Sequence, residues 1–172
     1  MIDPTVARRP DGALVLEPLA PWYVAVLAEL PALLHPDQPE AVKRRLYPDP
    51  SDDEEQKAEW KRLVAPELFA LIASAREIVE RDLGRIAPAA AGTWRLEIPA
   101  GHLAAWIGAL HAARLTLGER HGLGEREMSG AVDELPPERR LARTKVRLLG
   151  MLEEALVYEA MPEEGGGEEE AG

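Results

Sequence analysis

Apolar and polar positions follow two different periods along this chain. In TWRLEIP, residues 93 to 99, Trp94, Leu96 and Ile98 alternate with Arg95 and Glu97, the two-residue period of a half-buried strand. Upstream, ARRPDGALVLEP reads as a short hairpin, with PDG as its turn and ALVLE as a short apolar strand. Each strand needs a partner, so ALVLE and TWRLEIP are expected to pair in a small antiparallel sheet of two or three strands.

Elsewhere the spacing is that of helices. Leu19, Trp22, Tyr23, Val26, Leu27, Leu30, Leu33 and Leu34 mark one buried face over about Pro18 to His35, with Pro31 placed to kink or divide it. A short helix, PEAVKRRL, is closed by the two prolines of YPDP. Ser51 then opens SDDE, which has the form of a capping box with Glu54, and the helix so started carries Trp60, Leu63 and Val64. Pro66 marks a kink or a new first turn, beyond which Leu68, Ile72, Ala75, Val79 and Leu83 form a stripe. Two further helices are expected, from about Gly101 to His121 and from about 137 to 160. The chain thus reads as a mainly α, single compact domain of five to six helices with a small sheet, spanning residues 1 to 161.

One helix breaks its own pattern. At 100° per residue from Leu103, Leu110 falls at about −20°, Ile107 at about +40°, Leu117 at about −40° and Trp106 at about −60°. Arg114 then falls at about +20° and His121 at about 0°, so two basic groups continue an apolar face. A buried, unpaired guanidinium costs several kcal/mol. Arg114 is therefore expected either to pair with a carboxylate on a neighbouring helix, or to open with His121 onto a groove for an anionic ligand or partner.

Composition narrows the chemistry. The chain has no cysteine, which excludes disulfides, zinc–thiolate sites and thiol nucleophiles. A net charge of −11 opposes binding to a phosphate backbone. The segment PEEGGGEEEAG, residues 162 to 172, carries glutamates and no base, and is expected to be a disordered acidic tail. No apolar run approaches a membrane span, and the start of the chain lacks an apolar signal core, so a cytoplasmic location is expected.

Candidate sites are few. His102 and His111 lie on opposite sides of one helix, and no inward-facing His–x–x–x–His or Glu–x–x–His pair is present, so neither metal nor cofactor is expected. DPSDDEE lacks the glycine and distal glutamate of a calcium loop. Ser51, Ser74 and Ser129 are not in a nucleophile setting, and Gly118, Gly122 and Gly124 do not open a helix after a strand as a phosphate loop does. A carboxylate pair formed by the fold is left open. The most suggestive surface is ERRLARTKVR, residues 138 to 147, where Arg139, Arg140, Arg143, Lys145 and Arg147 face one acid. It is either a solvated helix face with internal ion pairs or a docking patch for an acidic partner or for the acidic tail of another copy.

Two segments resemble a known family. WRLEIPAGHLAAWIGALHAARLTLGERHGL is similar to the second half of the bacterial family of unknown function DUF2017, with Trp106, Arg114, Leu115, Leu117, Gly118, Arg120 and Gly122 at matching places. RLYPDPSDDEEQKAEWKRL resembles its other segment through Leu46, Tyr47, Pro48, Asp53, Glu54, Glu55 and Trp60. His121 departs from the small hydrophobic residue commoner at its position. The family has no assigned activity. Genes said to neighbour it encode a Clp-protease adaptor, a JAMM-type metallopeptidase and a sulfur carrier, which implies an accessory role near protein degradation or sulfur transfer.

The function expected is that of a non-enzymatic interaction or accessory protein, binding another protein or itself. An enzyme with a carboxylate or histidine site assembled by the fold is the alternative. A transcriptional regulator, using residues 138 to 147, is the third class.

Overall fold

The computed structural model describes residues 4–130 and 135–161. The acidic segment 162 to 172 lies outside the described residues. Strand β1 (Thr5–Arg8) turns through Asp11 and Gly12 into β2 (Leu14–Leu19). Asp11 accepts from the Ala13 N–H at 3.0 Å, an Asx contact that holds the turn. The PDG hairpin is therefore present, and β2 pairs antiparallel with β4 (Trp94–Ile98) in the expected way. A two-residue strand, β3 (Ala87–Pro88), extends the sheet to four strands in the order β1-β2-β4-β3. Leu14, Leu16, Leu96 and Ile98 on one face are fully buried, while Glu17 and Arg95 face solvent.

The helical part is more divided than its stripes suggested. Pro31 splits the first helix into α1 (Pro21–Ala28) and α2 (Leu30–Leu33), with the break at Glu29, because the proline ring cannot sit against the carbonyl of residue 27. Then come α3 (Glu40–Leu46), α4 (Glu54–Leu63) and α5 (Ala65–Leu83), the last two meeting at Val64 with Pro66 in the first turn of α5. The cap of α4 is Asp53, not Ser51. Its carboxylate accepts from the N–H groups of Glu55 and Gln56, and the Ser51 hydroxyl accepts from the Asp53 N–H.

A 3-10 turn, Ala100–His102, leads into α6 (Leu103–Arg120), followed by a short α7 (Glu125–Ser129) in the expected loop and by α8 (Pro137–Ala160). The end of α6 is closed by Gly122 at φ +58°, a left-handed position that favours glycine. It lets Gly122 and Leu123 donate back to Glu119 and Gly118, which satisfies the last carbonyls of the helix.

One core joins these layers. α6 lies centrally, against α8 most extensively and also against α5, α3 and α2. Its buried residues are Trp106, Ala109, Leu110, Ala112, Ala113, Thr116 and Leu117. The buried arc is thus centred at about −80° on the wheel used above, not at 0°. Alanines at 109, 112 and 113 take the centre because a helix surrounded by helices packs closely through small side chains. Leu103, Ile107 and Arg114 consequently lie at its margin.

Candidate functional site

A polar cluster sits inside the core. Asp82, in the last turn of α5, is fully buried. Its Oδ2 accepts from the Trp106 indole N–H at 2.9 Å and lies 2.8 Å from His102 Nδ1, with Oδ1 3.1 Å from the same nitrogen. The Arg85 guanidinium stands 3.7 Å away at the surface. The carboxylate also faces the amino-terminal turn of α6, where the helix dipole favours negative charge. With both oxygens engaged, Asp82 ties the end of α5 to the start of α6 and fixes the His102 ring. Among the described residues no hydrogen bond reaches the other ring nitrogen, and the clefts described below are lined by other residues. Sequence reading missed this cluster. Its signal was Asp82 interrupting the stripe between Val79 and Leu83, with His102 and Trp106 one turn apart.

Arg114 reaches from the margin of α6 to α8. One of its terminal nitrogens lies 2.5 Å from Glu153 Oε2, while Glu153 Oε1 is 3.2 Å from His111 Nδ1. Its guanidinium lies over Gly150, where an added Cβ would come within 3.2 Å of it, so the glycine makes room for the arginine. Two shallow depressions of about 620 and 430 Å³ meet here, sharing Arg114, Met128 and Val146 in their walls. His121 caps α6, half-buried, and its carbonyl accepts from Arg139; it is not brought to Arg114 as a pair. Arg120, also part of the family-like motif, donates to the buried Gln38 side chain at 2.6 Å.

The arginines of 139 to 147 do not form one face. Arg139 donates to the carbonyls of His121 and Gly122, and lies 3.5 Å from Glu127. Hydrogen bonds from the backbone N–H groups of Glu127 and Gly124, together with the Arg139 charge, hold the Glu127 carboxyl below its ordinary range. Arg143 is buried, with its terminal nitrogens on the carbonyls of Gly130 and Met128 at 2.8 Å. Lys145 pairs with Glu29 at 2.6 Å. Arg147 is exposed and Arg140 half-buried, so the run mainly clamps the segment carrying α7 and holds α8 to its neighbours.

A surface little used by the fold lies elsewhere. None of the described residues of α4 is buried. At the elbow between α4 and α5, Leu63, Val64, Phe69 and Leu71 are 49%, 39%, 46% and 64% exposed, in a chain whose other leucines on α5 turn inward. Beside the elbow, α3, α4 and α5 enclose a cleft of about 460 Å³. Tyr47, Trp60 and Phe69 line it, with the Tyr47 and Phe69 rings 6.3 Å apart, and Lys43, Arg44 and Lys61 stand around it. Burial raises the Tyr47 phenol above its usual value.

Among the described residues no cluster of three histidine or acidic side chains could hold a metal ion, and no helix is long and apolar enough to cross a membrane. No curated protein and no solved structure matches the chain. A family model does match, over residues 5–160, and by that match the chain belongs to the family described as domain of unknown function (DUF2017).

Proposed function

We propose that this chain is an accessory protein that works by binding another protein, and that the elbow of α4 and α5 is its binding face. The observation carrying this is that α4 buries nothing, while four large apolar side chains at the elbow stay in water. Adjacent exposed apolar groups of this size mark interaction surfaces more often than they occur by chance. A helix kept for the fold alone would turn its apolar residues inward.

Under this reading Asp82, Arg139 and Arg143 are structural, and Arg114 fastens α6 to α8. The protein-degradation or sulfur-carrier setting implied by the family resemblance tells where to look for the partner, and the cytoplasm is the compartment assumed. The enzyme alternative would centre on the Asp82–His102 pair, and it gains support only from the unoccupied imidazole nitrogen.

The test is a photo-crosslinking amino acid placed at Leu71 in the full chain, with the exposed Arg95 of β4 as control. One dominant crosslinked protein from the native lysate at Leu71, absent at Arg95 and lost on Leu63→Glu, is the expected result. The same pattern of products at both positions overturns the assignment of the face.

A further inference from the structure

We infer that the cleft between α3, α4 and α5 takes an acidic amphipathic peptide segment, an assignment that rests on the elbow being the binding face. One bulky apolar side chain of the partner enters between Tyr47, Trp60 and Phe69. Carboxylates flanking it meet Lys43, Arg44 and Lys61.

Shape gives the first reason. A space of about 460 Å³ falls within the roughly 300–1,000 Å³ of sites that enclose a small ligand or a side-chain anchor. Three helices, α3, α4 and α5, contribute to its lining, as in grooves that take an amphipathic helix. Aromatic walls suit an aromatic or branched aliphatic anchor, whose burial provides most of the affinity in such contacts.

Charge gives the second. The last turns of α3 and α4 place Lys43, Arg44 and Lys61 around the cleft, although the chain as a whole has a net charge of −11. Among the described residues no acceptor lies within hydrogen-bonding or ion-pair distance of Lys43 or Arg44, and Lys61 has only Asp49 at 3.8 Å. Elsewhere on the molecule Arg139, Arg143 and Lys145 are committed to internal acceptors. Lys43 and Arg44 at the cleft are therefore open to an incoming anion.

The same charges set aside a phosphate polymer. Glu40 and Asp49 stand among the cations, and the surrounding protein repels a long anion. The chain's own acidic segment, 162 to 172, carries carboxylates but no side chain bulky enough to fill an aromatic cleft.

The experiment uses the full chain, immobilised, with a display library of random dodecapeptides as the probe. Enriched peptides are expected to carry an aromatic or branched aliphatic residue between Asp or Glu residues. Their binding, read by fluorescence anisotropy, should weaken by about tenfold or more in Lys43→Glu/Arg44→Glu and in Phe69→Ser. Circular dichroism and thermal unfolding of both variants should match the parent, because all three side chains reach solvent. Enrichment of basic peptides, no enrichment, or equal binding to the charge-reversed variant overturns the inference. So does a concentration-dependent dimer that disappears in that variant, which makes a second copy the occupant. Leu71 is not part of the cleft, so a specific crosslink there alongside a failed selection removes the peptide chemistry and leaves the binding face standing.

Discussion

The two ends of α5 belong to the same helix and have opposite surroundings. At its carboxyl end Val79 and Asp82 have no exposure at all, and Asp82 is tied to two side chains at the start of α6. At its amino end Pro66 starts the helix, Phe69 and Leu71 lie open, and the preceding helix buries nothing. One end serves the fold and the other is spare. A single helix can thus anchor in the core and still carry a free surface, because helical periodicity constrains only the stretch that has neighbours.

Asp82→Ala is the strongest way to break this contrast. Removing the carboxylate leaves the Trp106 N–H and the His102 ring without their buried acceptor, and should cost about 3–5 kcal/mol. Urea unfolding would read this directly, and thermal unfolding should show Tm lower by about 10 °C. A loss under about 1 kcal/mol would mean that the anchored end is not anchored by Asp82.

Arg143→Met tests a second buried polar group of the body. It deletes two hydrogen bonds to the carbonyls of Met128 and Gly130 and should cost about 2 kcal/mol. Faster amide hydrogen exchange in α7, with the elbow unchanged, is the expected signature. Uniform acceleration over the whole chain would show that the clamp is not local.

A matched pair on α5 sharpens the comparison further. Val79→Ala opens a gap in the core and should cost about 2 kcal/mol, whereas Leu71→Ala should stay within about 0.5 kcal/mol by the same denaturation. Equal losses would erase the distinction between the two ends.

The smallest effect concerns Tyr47. Its folded pKa is raised by burial, so the proton is held more tightly in the folded than in the unfolded chain. The stability this represents is present below the ordinary value of 10.0 and is lost as pH rises from there through the folded value. Tyr47→Phe should flatten that slope in unfolding measured at alkaline pH.

How legible was this in the sequence? The sheet was, because alternation in Trp94–Ile98 left β2 as its partner and both buried the expected side. The α5 stripe was legible too, through Ala75 and Val79. The face of α6 was misplaced because leucines were weighted over alanines, and close helix packing reverses that weighting. Capping slipped by two residues because Ser51 and Asp53 each precede a suitable acceptor pattern, and only the backbone geometry chooses between them. Arg139 and Arg143 looked like surface because their acceptors are carbonyls, which a sequence does not display. The exposed elbow was hidden for the opposite reason: Leu63, Val64 and Phe69 look like core until the fold leaves about half of each in solvent among the described residues.

The α6–α8 contact has a consequence for how the protein is made. α8 follows the other described elements along the chain, yet it covers α6 most extensively and reaches β1 through Arg8 and Glu159 at 3.7 Å. A chain still on the ribosome and short of Pro137 leaves that side of α6 bare. Closure therefore joins segments far apart in sequence, the kind of long-range step that slows folding.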